Sequence, residues 1–506
     1  MPEVQKRVTN RSAPADQQHA GVTTPTGSKP LYSAPSTGDP AGPSRTSPAA
    51  RNSGPLQSPP PPARASRTKE SPDPMARDLA RTAPSASSEP PSPAELAGLV
   101  CRFCEAPLRV TFVDLGMSPL CQQHVHRDEL NAMEPFFPLH AYVCEDCFLV
   151  QLGEYVAPEE IFGRYYHYFS SYSTSWLAHA KRYTEQMIER LALGPHSRVA
   201  EIASNDGYLL QFFAERGIPC LGIEPASNVA EAARARGIET VSRFFGTETA
   251  QALRAERGPV DLLLGNNVLA HVPKLNDFVA GMAHYLAPGG TITMEFPHLL
   301  RLMAENQFDT IYHEHFSYFS FTVVEKVFAA HGLTLVDVDE LPTHGGSLRI
   351  YARHSEAQPE IAPAVRALRQ HEADAGVETL AFYAPFAARV ERTKRRLLSF
   401  LIDARERGKT VVGYGAPGKG NTLLNYCGIR SDLVAYTVDR SPVKQGTFLP
   451  GSRIPVYAPE RIDETRPDYV LVLPWNLVDE ITGQMARIRK WGGRFVVPIP
   501  EVRVLD

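Results

Sequence analysis

The residues best suited to chemistry lie in Phe308–Ser320, which reads FDTIYHEHFSYFS. Such polar density among aromatic residues is costly to bury unless a cleft requires it. The H-x-H spacing beside a glutamate could bind a metal, but it is not the H-E-x-x-H helix and no further ligands stand nearby. We therefore predict acid–base chemistry, in which a histidine takes a proton from a carbon next to a carbonyl and tyrosines or a second histidine stabilise the enolate oxygen. The side chains available within seven positions are Tyr312, His313, Glu314, His315 and Tyr318.

Three other stretches are candidates for walls of the same pocket. Asn266, Asn267 and His271 follow the predicted strand DLLLG, where ligand contacts are expected. In Thr343–Arg349 (THGGSLR), the two glycines allow backbone to approach a ligand closely, and His344 is a candidate pocket residue. The aromatic run Phe162–Trp176, which contains Tyr166, either packs a seam between domains or crosses the cleft.

The element that must position these residues begins at Arg198–Leu210, RVAEIASNDGYLL. Val199–Ile202 predicts a short buried strand, Ser204–Gly207 a tight polar turn, and the following YLLQFFAERG an amphipathic helix. A second predicted strand, Pro219–Ile223, precedes Glu224, whose carboxylate can accept both hydroxyls of a ribose. Ligands of open α/β sheets bind beyond the carboxyl ends of the strands, so a nucleoside site is predicted here.

This pattern resembles motif I of the class I S-adenosylmethionine-dependent methyltransferases. The family usually has glycine where this chain has Ala203, whose methyl group crowds the backbone near the cofactor without excluding it. The alternative is a βα turn of some other doubly wound sheet. The alternation of strands and helices continues to Thr291–Glu295 and predicts a mainly parallel sheet. The resemblance implies cofactor contacts from Glu201, Ala203, Asn205, Asp206, Gly207, Glu224, Asn266 and Asn267.

Four of the seven cysteines form two C-x-x-C pairs, Cys101 with Cys104 and Cys144 with Cys147. Two such pairs suit a closed tetrahedral zinc site, which keeps no open position for substrate and is therefore structural. Redox-active pairs are the weaker alternative, because neither opens a βα unit of thioredoxin type. Residues between the pairs that could substitute as ligands are Cys121, His124 and His126.

Composition sets the remaining bounds for the 506 residues, enough for roughly three or four domains. A formal net charge of −4 gives no electrostatic reason to expect a nucleic-acid partner. There is no apolar run of membrane-spanning length and no signal-peptide core, so we expect a cytoplasmic protein that does not bind membranes. Residues 1–95 are rich in Pro, Ser and Ala without apolar periodicity, which predicts disorder.

A glycine-rich turn, TVVGYGAPGKGNTLLN, follows a helix-rich segment near the carboxyl end. Gly413, Gly415 and Gly418 have the spacing of a dinucleotide fingerprint, and Asp439 ends a later strand. On spacing alone, an NAD(P)-linked sugar-nucleotide oxidoreductase is a rival hypothesis. Lys419 and the loop amides could meet a diphosphate, or the turn could serve packing only.

The order CxxC…CxxC, FSSYSTSW, EIASNDGYLL, GIEP, NNVLAHV, YHEHFSYFS and HGGSLRIYARH resembles the sugar C-methyltransferases of deoxysugar biosynthesis, of the tetronitrose C-3 type. The resemblance implies methyl transfer from S-adenosylmethionine to C-3 of a thymidine-diphosphate-linked 4-keto-deoxysugar. His315 would be the base, assisted by Tyr312, Glu314, His271 and Tyr166. A non-catalytic sugar-nucleotide-binding homologue is a third hypothesis.

The resemblance also implies a fold. A Rossmann-like class I methyltransferase domain (161–356) would be flanked by a small zinc-binding domain (96–160) and by a helical linker with a second Rossmann-like α/β domain (357–506). We expect a monomer.

Overall fold

The computed structural model describes residues 98–162 and 168–505. The predicted disordered tail, 1–95, and the predicted site residue Tyr166 lie outside the described residues. In the part of the chain that is described, no helix is both long and apolar enough to cross a membrane.

The first described segment forms a small antiparallel sheet. Its strands β1 (Val110–Ser118), β2 (Phe137–Val143) and β3 (Val150–Leu152) follow one another in chain order, and helix α1 (Pro158–Ile161) comes after them. The fourth strand comes from much later in the chain, because β3 also pairs with β9 (Ser317–Tyr318). The stretch richest in chemistry therefore takes part in the sheet of the cysteine-containing segment.

The central sheet has seven strands in the order β10-β11-β8-β7-β4-β5-β6. Strands β4 to β8 run parallel to one another, which confirms the predicted mainly parallel sheet, while β11 is antiparallel to both β8 and β10. All four residues of β4 are buried, as expected for a central strand covered on both faces. The strands are β4 (Val199–Ile202), β5 (Cys220–Ile223), β6 (Thr240–Val241), β7 (Val260–Asn266), β8 (Leu286–Pro297), β10 (Leu333–Leu341) and β11 (Ser347–His354).

The helices around this sheet include one that is shorter than predicted. The helix expected from Tyr208 spans only Leu210–Ala214. At its start the Phe212 N–H donates to the Leu209 carbonyl, three residues earlier, so the chain there still has the hydrogen bonding of a turn and not that of an α-helix. The helices are α2 (Thr174–Leu191), α3 (Leu210–Ala214), α4 (Ser227–Ala235), α5 (Thr247–Arg257), α6 (Leu275–Tyr285), α7 (Leu299–Ala304) and α8 (Phe321–Ala330).

The carboxyl-terminal part confirms the predicted second α/β unit. Helices α9 (Pro363–Ala375), α10 (Leu380–Tyr383) and α11 (Phe386–Glu406) lead into a six-stranded sheet of order β14-β13-β12-β15-β16-β17, parallel except for β17. Its strands are β12 (Val411–Tyr414), β13 (Thr437–Val438), β14 (Val456–Tyr457), β15 (Tyr469–Val472), β16 (Arg494–Val497) and β17 (Arg503–Leu505). Its helices are α12 (Gly418–Cys427), α13 (Arg461–Thr465) and α14 (Val478–Gln484).

Candidate active site and zinc centre

The two C-x-x-C pairs meet in one cluster. The Sγ atoms of Cys101 and Cys147 are 3.5 Å apart, as are those of Cys104 and Cys144, and all four lie within 4.8 Å of one another. Four thiolates around a tetrahedral zinc ion are separated by about 3.8 Å, so the donor set and its spacing fit zinc. The cysteines are not joined as disulfides. The arrangement is a closed four-sulfur site with a structural role.

The alternative zinc ligands considered from the sequence, Cys121, His124 and His126, lie outside this cluster. Cys121 Sγ lies 3.5 Å from Glu314 Oε1, and His124 Nδ1 is 2.8 Å from Thr447 Oγ1. The His126 backbone N–H donates to Glu129 at 3.0 Å. Among the described residues the metal-ligand cluster consists of the four paired cysteines, so substitution by any of the three is a wrong alternative.

The turn after β4 has the backbone that a nucleoside site needs. Ala203 and Asn205 have positive φ angles of 55° and 50°, and the Ala203 N–H donates to Ile223 O at 2.7 Å. Gly207 has φ 77°, and a Cβ there would lie 3.0 Å from Ile238 Cγ1, so the position requires glycine. Ala203 thus adopts the conformation for which glycine is usual, and its methyl group is accommodated.

Glu224, at the end of β5, closes this turn. Its carboxylate accepts the Asn205 N–H at 2.9 Å and the Ala226 N–H at 2.8 Å. Burial raises the pKa of Glu224 to about 7, although the two backbone N–H groups lower it. The carboxylate is thereby fixed at the edge of the sheet where a ribose is expected.

Three residues predicted to contact the cofactor, Glu201, Asp206 and Gly207, do not line the cavity that the other predicted residues surround, and their cofactor contacts stay a prediction. Asp206 is fully buried and pairs with Arg236 at 2.9 Å and with the Ser171 hydroxyl. Glu201 is fully buried within β4, and burial raises its pKa well above the usual value. Gly207 packs on Ile238. Asp206 and Gly207 thus have contacts that shape the turn, whereas both carboxylate oxygens of Glu201 are buried without a hydrogen-bond partner among the described residues.

Most of the predicted residues surround one cavity of about 920 Å³. This volume is within the usual range for small-molecule sites. Two buried amide atoms, Asn266 Nδ2 and Asn267 Oδ1, have no hydrogen-bond partner among the described residues, as expected where a polar ligand is to bind. The predicted residues that line the cavity are Ala203, Asn205, Glu224, Asn266, Asn267, His271, Tyr312, Glu314 and His315.

The tautomer of His315 is fixed by its backbone. Its Nδ1 lies 2.8 Å from Thr310 O, and because a carbonyl can only accept, Nδ1 carries the proton. Nε2 is then the atom with an available electron pair. Burial and the nearby His271 lower the pKa of His315 well below 6.5, so the ring is neutral at physiological pH. This is the state that a general base requires.

Neutral donors surround this ring. The ring centroid of Tyr312 is 4.0 Å from that of His315, and the centroid of His271 is 4.7 Å from it. Burial raises the pKa of Tyr312 well above its usual value and lowers the pKa of His271 to about 4. The Phe316 N–H donates to Ala270 O at 2.7 Å and so holds the two segments together. Both side chains can donate to a developing oxyanion.

The sequence analysis missed a buried charged network, three of whose members, His179, Thr343 and Arg349, line a second cavity of about 960 Å³. Glu295 Oε2 is 2.9 Å from both His179 Nε2 and Arg349 NH2, and Thr343 donates to Glu295 Oε1 at 2.9 Å. Burial raises the pKa of Glu295, but His179 and Arg349 lower it further, to about 2. In the sequence, the only feature that could have indicated this network was the acidic residue at the end of the predicted strand Thr291–Glu295.

The second cavity adjoins the first, and both are lined by Trp176, His344 and Lys444.

The glycine-rich turn lines part of the second cavity, but its contacts differ from those of a dinucleotide site. The carboxylate of Asp439 accepts the Ala416 N–H of the glycine-rich turn at 2.7 Å and the Ser441 N–H of its own loop at 2.8 Å, so both of its oxygens are occupied by backbone. A Cβ at Gly418 would lie 2.9 Å from Cys121 Sγ. These contacts disfavour the oxidoreductase alternative.

Fold and site together define a class I S-adenosylmethionine-dependent methyltransferase with an added zinc centre and a second α/β unit. Family models match along most of the described chain. Residues 101–162 match "Putative zinc binding domain", residues 176–338 match "Methyltransferase domain", and residues 342–500 match "C-methyltransferase C-terminal domain".

The chain is also similar to individual proteins. The chain is 37% identical over 406 residues to the C-methyltransferase NovU from Streptomyces niveus, covering 80% of this chain and 96% of that protein. A ubiquinone biosynthesis O-methyltransferase from Chelativorans sp. is 31% identical over 94 residues, 18% of this chain and 37% of that protein. Magnesium protoporphyrin IX methyltransferase from Synechocystis PCC 6803 is a solved structure with 14% identity and a TM-score of 0.28, covering 35% of this chain and 83% of its own.

The chain belongs to the C-methyltransferase family that includes NovU. The predicted enzyme class is confirmed, with S-adenosylmethionine as cofactor and zinc bound by the four paired cysteines.

Proposed function

We propose that the enzyme methylates C-3 of a nucleotide-linked 4-keto-deoxysugar, with His315 as the base that forms the enolate. The observation that carries this proposal is the hydrogen bond from His315 Nδ1 to Thr310 O, which leaves Nε2 as a proton acceptor in the cavity that Glu224 also lines. The sugar class itself rests on the sequence motifs that resemble sugar C-methyltransferases.

In the proposed reaction, His315 Nε2 takes the proton from C-3, and the electron pair of the broken C–H bond forms the C-3–C-4 double bond of the enolate. The negative charge moves to the C-4 oxygen, where His271 and Tyr312 donate hydrogen bonds. Glu314 orients His315 or a sugar hydroxyl. S-adenosylmethionine, when bound, supplies an electrophilic methyl group for the nucleophilic carbon. The zinc centre takes no part in these steps.

The adjoining second cavity supports a nucleotide-linked substrate. Residues of the carboxyl-terminal unit, among them Tyr414 and Ser441, line the second cavity. Lys444 lines both cavities, and Lys419 lines the first. The Lys419 ammonium lies 4.6 Å from the Trp475 ring centroid and donates to Asn476 at 2.8 Å. A sugar in the first cavity could thus be joined to a nucleotide in the second through an anionic diphosphate.

The direct test is methyl transfer from isotopically labelled S-adenosylmethionine to a thymidine-diphosphate-linked 4-keto-6-deoxyhexose. We expect label in the sugar at C-3 and calorimetric binding of S-adenosylmethionine and thymidine diphosphate without binding of NADH. Binding of NADH alone would contradict the proposal and move the reaction to Gly413–Asp439. A protein that binds both ligands but transfers no label to keto sugars would favour the non-catalytic alternative.

The pH dependence offers a second prediction. The essential base must be unprotonated, and because burial and His271 lower the pKa of His315 below 6.5, the active form persists into mildly acidic solution. We expect kcat/KM to be level from pH 7 to 8 and its acid limb to fall below pH 6.5. Initial rates at subsaturating sugar nucleotide measure it, with circular dichroism as a control for unfolding. An inflection above pH 7 would contradict a buried His315 base.

A further inference from the structure

His344 has a left-handed backbone conformation, which is uncommon for a residue other than glycine. Its φ and ψ are 56° and 17°, in the left-handed region where glycine or asparagine is less strained. The two residues that follow must be glycine, because a Cβ at Gly345 would lie 2.6 Å from the Trp475 ring and one at Gly346 would lie 2.8 Å from the Arg301 side chain. Strain of this kind in a non-glycine residue is found where the side chain is needed.

The turn is also held from both sides. Thr343 donates to Glu295 at 2.9 Å, and Gln307 Nε2 donates to Gly345 O at 2.7 Å. The imidazole of His344 meets the edge of Trp176, with ring centroids 5.1 Å apart. The side chain is thus placed at one position by a fixed backbone and a fixed neighbour.

That position is the junction of the two cavities, both of which His344 lines. Its Nδ1 is buried without a hydrogen-bond partner among the described residues. A buried ring nitrogen of this kind loses its hydrogen bond to water and gains none from the protein. A ligand that bridges the cavities would pass directly in front of this side chain.

The charges at the junction favour an anion. Lys444 lines both cavities, and burial together with the nearby Lys419 lowers the pKa of His344 to about 4, although Glu295 raises it. The carboxylates nearby are committed, since Asp439 accepts two backbone N–H groups and Glu480 pairs with Arg440 at 3.5 Å. Lys444 donates to the neutral Ala416 O at 2.7 Å, and Lys419 donates to the neutral Asn476 side chain at 2.8 Å while buried Asp309 offsets part of its charge. The two lysines therefore bring positive charge to the junction, with Lys444 paired to no carboxylate in these contacts.

We infer that His344 donates a hydrogen bond to the diphosphate of the nucleotide-linked substrate where the two cavities meet. The inference rests on the proposed function, from which the diphosphate comes. The imidazole N–H completes a site whose charge is supplied by Lys419 and Lys444, and the strained turn keeps the ring in the path between nucleotide and sugar.

The test is calorimetric titration of wild type and the His344→Gly variant with thymidine diphosphate. Glycine accepts the left-handed backbone, so the variant should keep its melting temperature within a few degrees and its affinity for S-adenosylmethionine. We expect the dissociation constant for thymidine diphosphate to rise about 10- to 100-fold, as for a lost hydrogen bond to a charged group. Binding of thymidine, which lacks the diphosphate, should not change. His344→Asn, which also tolerates this backbone and keeps an N–H donor, should lose less.

An unchanged dissociation constant for thymidine diphosphate in His344→Gly would overturn the inference, as would an equal loss for thymidine. Titration of wild type and His344→Gly with inorganic pyrophosphate distinguishes failure of this inference from failure of the proposed function. If wild type does not bind thymidine diphosphate, the nucleotide class is wrong, and pyrophosphate still decides the role of His344. Weaker pyrophosphate binding by His344→Gly than by wild type supports the role, and equal binding overturns it.

Discussion

The His315→Asn variant should lose methyl transfer almost completely while it keeps its fold and its cofactor. Asparagine places an amide N–H near the position of Nδ1, so the hydrogen bond to Thr310 O can persist. What disappears is Nε2, the proposed proton acceptor. Loss of a general base typically costs about 10²- to 10⁴-fold in rate, so we expect kcat to fall by that amount.

The measurement is single-turnover methyl transfer, with calorimetric binding of S-adenosylmethionine as the check on the cofactor site. Exchange of the substrate C-3 hydrogen with deuterated solvent reports the proton transfer separately and should slow equally. His313→Asn is the matched control, because His313 is two residues away and its Nε2 lies 3.1 Å from Pro138 O, outside the cavity. The His313→Asn variant should keep the wild-type rate of methyl transfer. Substantial turnover by His315→Asn would show that His315 is not the base.

Removal of the zinc ion should have the largest effect on stability. Structural zinc sites contribute about 10–16 kcal/mol of binding free energy, which in small metal domains is folding free energy. In this chain the ion would hold the loops that carry Arg102, whose guanidinium donates to Leu152 O at 2.7 Å and to Phe316 O. Glu154, just beyond β3, and Phe162, just beyond α1, line the cavity. We expect Cys144→Ser or a strong chelator to abolish cooperative melting of this part and methyl transfer with it.

Elemental analysis should find one zinc ion per chain in wild type and a deficit in Cys144→Ser. Cys220→Ser is the matched control, since Cys220 lies at the start of β5, outside the metal cluster, and should leave zinc content and activity unchanged. A metal-free Cys144→Ser protein with full activity and an unchanged melting curve would contradict a structural zinc centre.

The parts of the site that sequence alone predicted are those encoded by short-range patterns. The C-x-x-C pairs and the strand Val199–Ile202 appear in the structure as predicted, because two-residue spacing and a buried apolar run determine local geometry directly. Glu224 was predictable for the same reason, since the end of a parallel strand locates it. These features depend on neighbours in the chain.

Long-range contacts could not be predicted in this way. Cys121 reaches Glu314 across 193 positions, and Glu295 meets Arg349 and His179 only after the sheet and α2 have packed. Asp206 could not be assigned for another reason. A polar residue in a turn can contact either a ligand or another part of the protein, and the sequence does not reveal that Arg236 lies within ion-pair distance of Asp206.

The pairing of β9 with β3 has a practical consequence for dissection of the enzyme. Ser317 and Tyr318 lie opposite Gln151 and Val150, so the zinc-binding sheet is completed by a strand encoded far outside it. A fragment that stopped at Phe162 would expose the backbone N–H and C=O groups of β3 as an unprotected edge, a common starting point for aggregation. We therefore expect that the zinc-binding segment cannot be excised or moved to another protein as a contiguous stretch of sequence, because its sheet includes a strand from a distant part of the chain.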